Sequence, residues 1–293
     1  MDAFTLRLIA LVSMLIDHMG YCFYPRLVSH QSYLVMRGVG RLAFPLYCFL
    51  LVNGYTHSRD RGRYLTRLCA FAAISQLPFA AAFFTNPFPK PEGLVFSLSQ
   101  PLFVCLILIG VCCVAWLTTV RRDASVLWPA AALVIAVLRL RFDGFRIFIG
   151  DLNVFYTLAL GLACLHVLER VRQREGDLVE LLMQALGLFC ALWLVRGSAD
   201  YGWHGLLLIA ALGLCRADRR LRLAVLLLWC AFHYGLFSGG SAASFFCAAA
   251  AAPLVFFYND RPGPSGLRLA FYCFYPVHLT LLGLFVLHAV YCG

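Results

Sequence analysis

The sequence predicts an all-α, polytopic transmembrane bundle of about 10–11 helices, and three observations carry that prediction. Hydrophobic residues make up 62% of the 293 residues and charged residues only 13%, with a mean hydropathy of +0.82, whereas a soluble globule is ~45–50% apolar. The apolar runs are long and do not alternate, which excludes an outer-membrane barrel, where lipid-facing and lumen-facing residues alternate in segments of roughly 10. In lipid every backbone polar group must be satisfied within the protein, so helices are what remains.

A spanning helix takes roughly 20 mostly apolar residues. Charge, Pro and Gly clusters divide the chain into runs near 4–24, 33–56, 64–85, 94–119, 125–139, 152–169, 178–195, 202–215, 221–237, 241–258 and 267–291. The first run is followed by aromatics and Pro25 rather than by a small-residue cleavage site, so it is expected to stay in the mature protein. The second holds Pro45, expected to free backbone groups in mid-helix and open a polar pocket there. The fifth and eighth are short, and the last carries Pro276 two residues before His278, pairing a kink with an imidazole. No hydrophilic stretch is long enough for a soluble domain, so residues 1–293 are read as one transmembrane domain. Thirteen Cys without a C-x-x-C, nearly all inside apolar runs, read as small buried hydrophobes.

A net charge of +10 would suggest nucleic acid in a soluble protein, but here 23 of the 24 basic residues are Arg gathered in particular loops. That is a topology signal, with no nucleic-acid partner expected. Alternating the loops puts sixteen on one side (Arg7; Arg59, Arg61, Arg63, Arg67; Arg121, Arg122; Arg170, Arg172, Arg174; Arg216, Arg219, Arg220, Arg222; Arg261, Arg268). The other side has only Arg26, Lys90, Arg139, Arg141, Arg146 and Arg196. The N-terminus is therefore expected in the cytoplasm.

Asp17 and His18 stand side by side inside the first run, and ionisable groups at membrane depth mark functional sites by default because they are costly to keep there. At ~1.5 Å of rise per residue they lie roughly 20 Å from the cytoplasmic end, in the outer half of the membrane. Arg41 falls at a similar level and His278 near the midplane, while Asp151, Asn153, Asp200 and His204 gather at the outer ends of the sixth and eighth helices. A neutral His in apolar surroundings is a competent general base, and a carboxylate can orient it. Consecutive helical residues point about 100° apart, so Asp17 need not touch His18. It can pair with Arg41 instead, either leaving His18 free for substrate or merely locking two helices. The basic run His57–Arg67 is either an anchor for anionic lipid or a holder of nucleotide phosphates, as in coenzyme A. No Gly-rich phosphate loop, metal-ligand cluster or Ser nucleophile elbow occurs.

Six stretches together resemble the TraX-like membrane proteins, a family named after the acetylase of F-type pilin. They are LIALVSMLIDHMG (Leu8–Gly20), GRLAFPLYCFLLVNGYTHSRDRGRYLTRL (Gly40–Leu68), ISQLPF (Ile74–Phe79), LNVFYTLALGL (Leu152–Leu162), DYGWHGLLLI (Asp200–Ile209) and FYPVHL (Phe274–Leu279). The segment near 87–150 departs from the pattern and reads as an inserted helix pair. The resemblance implies a multi-pass protein of the bacterial inner membrane that moves an acetyl group from acetyl-coenzyme A to the N-terminal amine of a membrane-inserted pilin. It is also similar to the wider group of transmembrane acyltransferases acting on surface polysaccharides. It implies His18 as the base with Asp17 and Arg41 organising it, His278, Asn153 and Asp200 in the substrate pocket together with Tyr275, and no metal. Arg59, Arg63 and Arg67 are the candidates for the donor's phosphates. An O-acetyltransferase of a glycan or lipid-linked sugar, and a proton-coupled transporter relaying through Asp17, His18 and His278, are the alternatives. The transporter's expected internal repeat is not evident in the sequence.

Overall fold

The computed structural model describes residues 1–84, 152–173, 178, 200–235, 241–264 and 266–291, and every regular element among them is helical. In chain order these are α1 (Ala3–Phe23), α2 (His30–Gly40), α3 (Ala43–Thr56), α4 (Arg61–Phe84), α5 (Val154–Gln173), α6 (Gly202–Leu214), α7 (Arg219–Cys230) with a π-helical turn at Ala231–Gly235, α8 (Ala242–Ala249), α9 (Ala251–Phe256) and α10 (Arg268–Tyr291). Among the described residues five stretches are long and apolar enough to cross a membrane: Ala3–Phe23, His30–Thr56, Arg61–Phe83, Val154–Gln173 and Leu269–Ala289. The chain is thus an all-α, polytopic membrane protein. The runs expected near 94–119, 125–139 and 178–195, the helix pair near 87–150 and Asp151 lie outside the described residues.

Short polar side chains set where the helices start, by accepting from first-turn N–H groups that have no partner inside the helix. Asp2 accepts from the Thr5 N–H and hydroxyl at 2.8 and 2.7 Å, which holds its carboxyl below the usual range. Ser29, Asp218 and Ser241 cap α2, α7 and α8 in the same way. The second predicted run is interrupted: α2 ends at Gly40 and α3 starts at Ala43, so Arg41 is the C-cap residue of α2. Pro45 consequently sits in the first turn of α3, where its missing N–H costs nothing, rather than freeing backbone in mid-helix as expected. Among the described residues Pro78 and Pro276 do lie in helix interiors.

Two compact units divide the chain, with breaks between Asn53 and Gly54, Leu77 and Pro78, and Ala210 and Ala211. In the first unit α1 packs on α2 and α10, α8 on α2, and α7 on α9. Close approach is built with glycine: a Cβ on Gly40 would overlap the Asp17 side chain, and one on Gly20 would stand 2.8 Å from Met36 Cβ, the small-residue packing that membrane helices use in place of a hydrophobic drive. Gly263 (φ +68°) turns the chain under Phe4, where a side chain would meet both strain and the Phe4 Cβ. α10 shows the two-faced pattern of a lipid-facing helix. Tyr275, His278, Leu279, Leu282 and Val286 are buried, while Val277, Leu281 and Leu284 are exposed and suited to acyl chains.

In the second unit α5 meets α6 at Gly161, which admits Ile209 beside it, and is tied to α4 through Asn153 at its start. Phe71 and Phe155 add a ring contact at 6.1 Å.

Candidate functional site

The last turns of α1 carry His18 inward, and α10 brings His278 to it. His18 Nδ1 and His278 Nε2 are 2.7 Å apart, and the rings lie nearly parallel, at 11° with centroids 5.0 Å apart. Both residues are buried, at 9% and 5% exposure. Phe83, Phe274 and Tyr275 wall the pair: Phe83 and Tyr275 meet His18 edge-on at 5.1 and 6.0 Å, and Phe274 stacks on His278 at 4.8 Å.

The proton positions in the neutral pair follow from one further contact. His278 Nδ1 faces the Phe274 carbonyl at 2.7 Å. A carbonyl only accepts, so this nitrogen carries the proton and donates. In a neutral imidazole the other nitrogen is then an acceptor, so His278 Nε2 accepts from His18 Nδ1–H. His18 Nε2 is left with its lone pair, and the hydrogen bonds of the pair fix the tautomer that makes it a base.

Asp17 points elsewhere. Its Oδ2 meets Arg37 Nη1 at 2.5 Å, so the expected pairing with Arg41 is corrected to a partner one helical turn earlier on the same face of α2. Arg41 is the second of the two guanidinium groups whose charge acts on Asp17, and its own guanidinium lies 5.5 Å over the Tyr234 ring. Arg37 also rests on the Tyr21 ring at 5.5 Å, so the pair fastens α1 to α2. Asp17 Oδ1 is buried and finds no hydrogen-bond partner among the described residues.

Asn153 and Asp200 belong to the second unit. Asn153 is fully buried; its amide nitrogen donates to the Ala72 carbonyl at 2.7 Å and to Gln76 Oε1 at 2.9 Å, and its oxygen accepts from the Phe155 N–H at 3.1 Å. Those bonds cap α5 and tie it to α4. Asp200 is exposed; its backbone N–H donates to Leu152 at 3.2 Å and its carbonyl accepts from the Thr157 hydroxyl.

The basic run begins α4, also in the second unit. Arg61 pairs at 3.1 Å with Glu169, whose side chain is only 7% exposed, and lies 4.7 Å over the Tyr55 ring, whose hydroxyl is 2.9 Å from His166 Nδ1. With Arg61 itself 39% exposed the pair is worth less than a fully buried one, yet together with the Tyr55 ring it engages Arg61 in structure. Arg63 pairs with Asp60 at 2.9 Å, 88% exposed, and such a surface pair is worth only ~0–1 kcal/mol. Arg67 lies 5.7 Å over the Tyr64 ring and Arg59 is exposed. Among the described residues no group of three or more His, Cys, Asp or Glu could hold a metal ion.

Two residues of the first unit escaped the sequence reading. Arg37 had a signal, being four residues before Arg41 and so on the same helical face. Arg222 had none, since it reads as one more loop arginine.

Comparison with known proteins agrees with the motif resemblance. The model of the TraX protein family matches residues 3–147 and 101–286. The chain is 28% identical, over 96% of its own length and 94% of the relative's, to the probable fimbrial assembly protein FimC, serogroup H1, of Dichelobacter nodosus. No solved structure matches it significantly.

Proposed function

Since the chain belongs to the TraX family, we propose that it is a membrane-embedded acetyltransferase that moves an acetyl group from acetyl-coenzyme A to the N-terminal amine of a pilin-like protein. The observation that carries this reading is the buried His18–His278 pair with its oriented tautomer. A base of this kind, walled by aromatics, is what acyl transfer to an amine requires, because the amine must lose a proton as it attacks. The fimbrial role in the relative's name favours a pilin-like acceptor over a sugar hydroxyl.

The donor supplies a thioester carbonyl; everything else falls to the chain. His18 Nε2 takes the proton from the attacking amine as the new C–N bond forms. His278 Nε2 holds the far side of the imidazolium, and its own Nδ1–H remains on the Phe274 carbonyl. His18 then returns the proton to the departing thiolate as the C–S bond breaks. Arg41, at the break between α2 and α3, is the candidate donor to the carbonyl oxygen as it gains charge. Asp17 and Arg37 are positioning residues that hold α1 in register with α2. Arg59, Arg63 and Arg67 are the candidates for the donor's phosphates. Arg63 leaves Asp60 at little cost, and Arg61 is excluded by Glu169. The loop asymmetry favours the cytoplasmic side of a bacterial inner membrane for that end, the side on which the donor is made.

The test is acetyl transfer by purified protein in nanodiscs, with acetyl-coenzyme A and a pilin-derived peptide, read by intact mass and fragment mapping. Acetylation of the α-amine supports the reading. Acetyl groups appearing only on hydroxyls of a supplied glycan, or none on any acceptor, would overturn it.

A further inference from the structure

A second polar group of the first unit stands outside this chemistry. Arg222, in the first turn of α7, is 8% exposed. Its Nε is buried and has no hydrogen-bond partner among the described residues, and its guanidinium lies 5.5 Å over the Phe49 ring. The acids nearby are spent: Asp260 is paired with Arg219 at 2.7 Å, and Asp218 caps α7, accepting from the Arg220 and Leu221 N–H groups. A buried guanidinium nitrogen without a hydrogen-bond partner is costly to keep.

Besides these two carboxylates, whose charges reach Arg222, the surroundings supply donors. The Tyr258 ring packs on Phe49 at 5.2 Å, putting it against the same ring that carries Arg222. Its hydroxyl, on a side chain only 2% exposed, accepts from Asn53 Nδ2 at 2.9 Å, which leaves its own proton to give. Arg7 of α1 adds a further positive charge near Tyr258. Arg222 and Tyr258 are close enough to act on one another electrostatically, and a planar guanidinium fork with an O–H nearby suits the tetrahedral oxygens of phosphate.

We propose that Arg222 and the Tyr258 hydroxyl form a binding site for a phosphate group on the unit that carries His18. Loop charge puts this end on the cytoplasmic side, where two sources carry that chemistry: a nucleotide and an anionic phospholipid. The site is independent of acetyl transfer, and its test measures no acetylation, so the two readings stand or fall separately.

The experiment titrates the purified full chain in phosphatidylcholine nanodiscs with adenosine 3′,5′-bisphosphate by calorimetry, each form also being made in an Arg59→Gln, Arg63→Gln, Arg67→Gln background so that binding by the donor-phosphate candidates is subtracted. In parallel, native mass spectrometry follows capture of phosphatidylglycerol. The wild type should bind at least one probe, the nucleotide or the lipid identifying the source. Arg222→Met should weaken that binding about ten- to a hundredfold, the value of a charge-assisted hydrogen bond, while the ligand-free melting temperature stays level or rises, because an unpaired buried charge has been removed. Tyr258→Phe, which removes one oxygen, should weaken binding severalfold and covers the case in which Arg222→Met fails to fold. Binding of neither probe by the wild type, or unchanged affinity in Tyr258→Phe and in a folded Arg222→Met, would overturn the proposal.

Discussion

His18 Nδ1 lies 2.7 Å from His278 Nε2, joining residues 260 positions apart through two buried imidazoles. Because His278 is anchored on the Phe274 carbonyl, the pair has a direction, and His18 Nε2 is its basic end. In this arrangement a second imidazole takes the orienting role that a carboxylate fills in other acid–base pairs.

Replacing His278 therefore acts through His18. We expect His278→Ala to lower acetyl transfer about 10²–10⁴-fold, the usual worth of a general base, with little change in KM for the acceptor. His278→Gln, which can still present an acceptor to His18 Nδ1–H, should recover part of it. A His278→Gln variant as inactive as His278→Ala would mean that the ring itself reacts.

Asp17 and Arg37 should behave as one unit. Arg37→Gln leaves a mostly buried carboxylate unpaired, and we expect a loss of about 3 kcal/mol, at the low end for buried pairs because the two side chains are 23% and 15% exposed. Asp17→Asn combined with Arg37→Gln should be less damaging than the sum of the single changes. Denaturant or thermal unfolding of the four proteins measures this coupling, and strict additivity would contradict it.

Gly40→Ala should be destabilising well beyond a surface change, because the new Cβ would overlap Asp17. Overpacking of this kind costs about 1–3 kcal/mol. Gly38→Ala is the control, since its Cβ would meet only Cys247 Sγ at 3.6 Å. Melting temperatures of the two variants, compared in one detergent, check the difference.

Asn153→Ala separates architecture from catalysis. The variant loses the cap of α5 and the bonds to Ala72 and Gln76, and a lost cap costs ~0.5–2 kcal/mol. We expect a lower melting temperature with kcat and KM per folded molecule unchanged. A selective rise in KM would instead support the substrate-pocket role that the sequence reading expects of Asn153.

The class of the fold was legible because apolar composition and run length are one-dimensional properties. The inward-facing histidines were legible because burying a polar group in lipid is costly wherever it falls along the chain. The partner of Asp17 was not: residues 37 and 41 share a helical face, and pattern alone cannot choose the turn that meets the carboxylate. The break at Arg41–Leu42, which moves Pro45 from mid-helix to a helix start, depends on packing between segments far apart in sequence. Asn153 had a local signal, an Asn just before an apolar run, which is the mark of a helix cap. Arg222 looks the same in sequence as its exposed neighbours, and only tertiary burial distinguishes it.

The most direct measurement of the central claim is intact-mass analysis of a pilin-derived acceptor after incubation with acetyl-coenzyme A and either the wild type or His18→Ala, at matched amounts of folded protein in nanodiscs. The wild type should add acetyl to the α-amine while His18→Ala, with an unchanged melting profile, adds none above the uncatalysed background. Acetylation by His18→Ala at the wild-type rate would contradict the assignment of His18 as the base.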